Sequence, residues 1–193
     1  MSDLRADLIG SEPRPVSWRR RALVVAVVLL VAAGLLVERR ERGQRLDAFL
    51  AAAAASEQVV TEARTSLGGL VRYSNGLLGR TDLRPTQRVA ILDTFALDAG
   101  RFVPRMEQRR EAVAAIDPLP WDRDLAAARD AYLARIDAWL LQVEKAQEDP
   151  DRLLRERRDT RLARTAAADA VERAAGRRAP EEVEALTRAL LSR

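Results

Sequence analysis

The chain has 193 residues, with 33 basic and 29 acidic side chains, a formal net charge of +4, and a 48% hydrophobic but only 4% aromatic composition. That length suits one ordinary domain, and the wealth of Ala, Leu and Val with few aromatics favours an all-α core over a sandwich. The chain holds no Cys and no His, which removes disulfides, thiolate nucleophiles, imidazole bases and nearly all zinc, copper, haem and iron–sulfur ligation.

Lys145 is the sole lysine and Asn75 the sole asparagine, and isoleucine stands only at Ile9, Ile91, Ile116 and Ile136. This is the codon bias expected of a GC-rich bacterium, so many arginines reflect mutation rather than a need for guanidinium geometry. Cysteine usage leaves the redox compartment open, since a chain without thiols suits either side of a membrane.

Residues 1–17 are polar and contain prolines, and read as a disordered tail. "WRRRALVVAVVLLVAAGLLVERRERG" over 18–43 follows, with residues 22–37 free of charge for 16 positions. As a helix these span about 24 Å against a hydrocarbon layer of about 30 Å, and Trp18 with the flanking arginines, which snorkel outward, extends the reach at both ends. A transmembrane anchor is therefore expected, with residues 22–37 in contact with lipid. Burial in a soluble core is disfavoured, because the run is apolar on every face. A cleaved signal competes through the small residues Ala32, Ala33 and Gly34, but the apolar character continues through Val37. Arg14, Arg19, Arg20 and Arg21 on one side balance Arg39, Arg40, Arg42 and Arg45 on the other. The contiguous N-side arginines favour a cytoplasmic N-terminus and an extracytoplasmic C-terminal domain in the cell membrane.

Residues 44–175 are expected to form an antiparallel three- to four-helix bundle. In its first helix, about 44–78, Leu46, Ala53, Val60, Leu67 and Ser74 interleave with Phe49, Ser56, Ala63, Leu70 and Leu77 at a 3.5-residue period. This long amphipathic helix should continue directly from the anchor, with only Gly43 as a breaker. Asn75, Gly76 and Gly79 mark its end, and Asp82 offers an N-cap before Pro85. A second helix over 85–116 carries the stripe Val89, Leu92, Ala96, Ala99, Val103, Met106 and Val113, with Phe95 and Phe102 alongside and a kink expected at Pro104.

"DPLPW", residues 117–121, is a loop stiffened by its prolines. The third helix, about 121–147, aligns Leu125, Tyr132, Ile136, Trp139, Val143 and Ala146. Asp149 and Pro150 should begin a fourth helix, about 150–175, with a thin stripe through Leu154, Leu162 and Val171. Gly176 and Pro180 close it and open a short amphipathic helix over 180–193. Its acidic start and basic end suit the helix macrodipole, and Val183, Leu186 and Leu190 give it a docking stripe.

Two constellations stand out. Arg110 and Arg129 fall on helical seams near Tyr132, where buried arginines would need carboxylates or an anionic ligand, and these three residues form a candidate interhelical polar site. Snorkelling of both arginines at the bundle ends competes with it, since long side chains escape burial easily. A cationic surface is the second candidate: Arg152, Arg155, Arg157, Arg158, Arg161 and Arg164. It can face anionic lipid or acidic protein, or be a solvated face whose arginines pair with Glu156 and Asp159. Nucleic acid is not expected, since no stacking aromatics interleave with these arginines.

Carboxylate hydrolysis would call on Asp93, Asp98, Glu107 and Glu111 or on Asp122, Asp124 and Asp130. All but Asp93 have an arginine within three positions, as ordinary surface charges do. No phosphate-loop, nucleophile-elbow or metal-helix pattern is present. The expectation is a non-enzymatic bacterial membrane protein without a cofactor, whose helical stripes bind a protein partner or a second copy. An extracytoplasmic ligand sensor acting through a partner is the alternative.

Overall fold

The computed structural model describes residues 18–79, 82–148, 158–176 and 180–191. Every regular element among them is an α-helix: α1 (Trp18–Leu78), α2 (Pro85–Gly100), α3 (Val103–Ala114), α4 (Arg123–Glu148), α5 (Arg158–Ala175) and α6 (Pro180–Leu191). The expected tail over 1–17, the helix start at Asp149 and Pro150, and Leu154 lie outside the described residues.

The chain divides into two compact units, one ending at Glu41 and the other beginning at Arg42. In the first, Leu23 through Val37 are exposed, Leu30 at 73%. This is the one helix among the described residues that is long and apolar enough to cross a membrane, and it lies near the N-terminus.

From Arg42 onward, α1 buries the expected heptad positions Leu46, Phe49, Ala53, Ser56, Val60, Ala63, Leu67 and Ser74, and Leu50, Glu57, Val59 and Val71 beside them. The helix does not yield at Asn75 and Gly76 but runs on to Leu78. Glycine lowers helix stability by only about 1 kcal/mol, which the packing of Val71 and Ser74 offsets.

The helix expected over 85–116 is two helices. Pro104 has no N–H for a bond to Gly100, and its ring crowds that carbonyl, so the helix ends at Gly100 and restarts at Val103. Pro104 then stands in the first turn of α3, where a missing N–H costs nothing. The N-cap of α2 is Arg84 rather than Asp82, and its N–H donates to Gln87 Oε1 at 2.9 Å. Val89 is 56% exposed and Leu92 only half-buried, so the buried stripe is Phe95, Ala99, Phe102, Met106 and Val113.

α4 is the central element, packing against α2, α3 and α5, and α5 in turn carries α6. Arg42 meets Asp122, Ala53 and Glu57 meet Tyr132, and Glu57 meets Arg135. These contacts ascend both helices together, so α1 and α4 run in the same direction.

The α5 stripe differs from the expected one. Leu162 is 56% exposed, and the buried face is Thr160, Arg164, Ala167, Ala168, Ala170, Val171, Ala174 and Ala175. Alanines carry it because they let α5 approach α4 closely. Gly176, at φ 57°, ends α5 in the left-handed conformation, its N–H donating to Glu172 O at 3.0 Å. Val183, Leu186 and Leu190 of α6 are buried in the same core. The stripe expected to dock a partner is therefore spent inside the chain.

Candidate functional site

One level of the seam between α1 and α4 gathers several buried polar side chains. There Tyr132, fully buried, turns its ring edge-on to Phe49 with centroids 6.1 Å apart. Its hydroxyl lies 2.8 Å from Ala53 O and 3.0 Å from Glu57 Oε1. The hydroxyl has one proton to donate, so the two acceptors share it. Burial first, and then the charge of Glu57, push the Tyr132 hydroxyl well above its ordinary pKa, while Arg135 pulls it down.

Glu57 Oε2 lies 3.6 Å from Arg135 Nη2, and both side chains are almost wholly buried. Arg135 Nε and Nη1 face no acceptor on the protein. Ser56, beside them on α1, donates to Ala52 O at 2.9 Å. The result is a compact buried polar cluster of Ser56, Glu57, Tyr132 and Arg135 between the two helices.

Glu57 also reaches a surface. With Asp47, Leu50, Ala51, Ala54, Gln58 and Thr61 it forms the α1 side of a groove of about 570 Å³, whose other side is Glu182, Ala185, Leu186 and Ala189 of α6. Ala51, Ala54 and Ala185 are exposed, so the groove is open rather than enclosed. Its walls are small and apolar, and its charged members, Asp47, Glu57 and Glu182, are all carboxylates.

The three residues of the expected interhelical site do not come together. Tyr132 belongs to the cluster just described. Arg110 pairs with Asp137 of α4, Nε to Oδ1 at 2.6 Å, with its side chain 43% exposed. That hydrogen bond holds the Arg110 guanidinium above its ordinary pKa. Arg129 donates to Ile116 O at 3.2 Å, covering a carbonyl just past α3, and to Asp130 at 2.9 Å. Both arginines staple elements at the surface. Among the cationic candidates, Arg158 and Arg161 are exposed, Arg164 is 6% exposed and so is part of the buried face of α5, and Arg152, Arg155 and Arg157 lie outside the described residues.

Glu57 and Arg135 are hard to find in the sequence because each stands one residue beside an expected stripe position, Ser56 and Ile136. The signal is present in α4. Leu125, Ala128, Tyr132, Arg135, Trp139, Gln142 and Ala146 follow an unbroken three-four spacing, and all seven are buried.

A second group of contacts lies where α1 enters this unit. Arg42 grips Asp122 with two bonds, Nε to Oδ2 at 2.7 Å and Nη2 to Oδ1 at 3.2 Å, and Arg45 donates to Asp117 O. Asp122 is buried and accepts from Leu125 N at 3.3 Å, which makes it the N-cap of α4. Farther along, Arg105 makes a bidentate pair with Glu62 at 2.7 and 2.9 Å, holding the Glu62 carboxyl below its ordinary range.

Among the described residues no group of three carboxylates is placed to hold a metal ion. Comparison of the chain with known families, curated proteins and solved structures found no match.

Proposed function

We propose that the chain is a non-enzymatic, single-pass membrane protein whose α1 crosses the bilayer through residues 22–37. Its helices from Arg42 onward then form a bundle, extracytoplasmic when the N-terminus is cytoplasmic, that serves as a protein-interaction module. The groove between α1 and α6 is its docking surface. The observation that carries this reading is the open, alanine-walled shape of the groove: small side chains on both walls let a helical backbone approach, as in helix-in-groove recognition. Asp47 and Glu182, both exposed, complement a partner helix that carries Arg or Lys beside its apolar stripe.

The test is site-specific photocrosslinking of the full chain in its native membrane, with the crosslinker at Ala54 or Ala185. One discrete adduct of the same mass from both walls, and none from exposed Asp93 on α2, is expected. Equal labelling at all three positions, or none at Ala54 and Ala185, would refute the proposal. A ligand-sensing alternative draws on Glu57, which lines the groove and contacts Tyr132 and Arg135 of α4. A small amine binding there would perturb that cluster directly.

A further inference from the structure

The loop Asp117–Trp121 is held on three sides. Arg45 takes the Asp117 carbonyl, Arg42 grips Asp122 just beyond Trp121, and Leu119 is 7% exposed. The Asp122 N–H donates to Leu119 O at 2.8 Å, closing a turn, and the prolines at 118 and 120 stiffen what remains. Yet Trp121, the largest side chain of the loop, is 61% exposed. A pinned loop that presents an indole to the outside calls for something to cover it.

The position of Arg42 in the chain identifies the cover. Arg42 follows the last residue of the apolar run, Val37, by five positions, about 7.5 Å as helix, and the headgroup layer of each leaflet is about 5–8 Å deep. Even fully extended, five residues reach no more than about 18 Å, so Arg42 and the loop tied to it stay within reach of that layer. α4 leads away from the loop in the direction of α1, so the loop closes the end of the bundle at which the chain enters. Indole is the side chain most favoured at this depth, since its ring is apolar and its N–H seeks a polar partner. Arg39 and Arg40 beside the span, and Arg123 beside the loop, are exposed and suit lipid phosphates.

We propose that Trp121 inserts into the headgroup layer of the same bilayer that α1 crosses, giving the domain a second contact with the membrane. This rests on the reading of residues 22–37 as a membrane span.

The absence of Cys from the chain makes the test direct. Single variants Leu30→Cys, Trp121→Cys and Gln87→Cys of the full chain each carry one fluorescent label, in nanodiscs containing lipids with a nitroxide quencher either at the headgroup or deep in the acyl chain. The expected result is quenching of the label at 121 by the headgroup nitroxide, of the label at 30 by the deep one, and of the label at 87 by neither. The native indole gives a second readout, in which part of the tryptophan quenching by the headgroup nitroxide is lost in Trp121→Phe. If position 30 is quenched while 121 behaves like 87, and Trp121→Phe loses no quenching, the second contact is overturned and the span stands. If position 30 escapes both quenchers, span and contact fall together.

Discussion

Arg135 carries three N–H bonds, on Nε and Nη1, that face no protein acceptor, and its nearest carboxylate oxygen is 3.6 Å away. Glu57, by contrast, keeps the Tyr132 hydroxyl at 3.0 Å besides the guanidinium. The two partners therefore depend on one another unequally. Replacing Glu57 with Leu strands a buried cation with no counter-charge, a loss of about 3–5 kcal/mol. Arg135→Met removes the poorly served guanidinium and leaves a carboxylate that still has a donor, so about 1–3 kcal/mol is expected. The double variant Glu57→Leu, Arg135→Met should return close to the parent or exceed it, as apolar replacements of buried pairs do. Urea unfolding of the three full-length variants in detergent, followed by helical circular dichroism, checks the order. Tyr132 adds a pH dependence. Its hydroxyl titrates well above the ordinary 10.0, because burial and then Glu57 disfavour the phenolate. The folded chain thus keeps a proton that the unfolded chain releases. The stability so gained is complete below pH 10 and is lost as pH rises beyond it towards the folded value. Tyr132→Phe should cost about 1–3 kcal/mol at pH 8, where the hydroxyl's bonds are lost. Between pH 8 and pH 11 its urea midpoint should fall less than the parent's.

Within the elements, one residue does two jobs at the start of α4. Asp122 caps the helix through Leu125 N and receives both bonds from Arg42. Asp122→Asn keeps a good cap and gives up the charge pair, whereas Asp122→Ala gives up both. The alanine variant should lose about 2 kcal/mol and the asparagine variant less than half of that. Midpoints for the pair separate cap from salt bridge, and equal losses would mean that the cap contributes nothing. Helix stripes are legible in the sequence where large aliphatic and aromatic residues mark them, as in α1 and along the 125–146 face of α4. They are not legible where alanine does the packing. In α5, Leu162 points to a face that turns out to be solvent, because the close approach to α4 leaves room for Ala167, Ala170 and Ala174 but not for leucine. The Pro104 irregularity is visible as a kink, but its size as a full break depends on Phe102 being buried at the gap, with Arg101 and Arg105 over its ring at 5.1 and 5.8 Å. The site is the least legible part. A glutamate and an arginine in a heptad seam look like surface charges until the partner helix is known.

At the scale of the whole molecule, the reach of α6 decides where the chain ends its own packing and what it leaves open. Val183, Leu186 and Leu190 are buried, yet the adjoining face with Ala185 and Ala189 stands across an open groove from Ala51 and Ala54. A groove walled by alanine is not a defect of the domain's own core, because Ala54 and Ala185 are exposed. Filling it should therefore leave the fold unchanged while excluding a partner. Ala54→Leu and Ala185→Leu, alone or together, are expected to change unfolding free energy by no more than about 0.5 kcal/mol, since surface substitutions that keep helix propensity rarely do more. A helix that occupies the groove would lose its closest backbone approach, and its association should weaken at least about tenfold, or about 1.4 kcal/mol. The readout is the photocrosslinked adduct from Glu182, on the rim beside the filled positions, against unfolding midpoints of the same samples. Loss of the adduct at constant stability assigns the groove to a partner. A drop in stability that parallels the loss would assign these alanines to the internal packing of α6 instead.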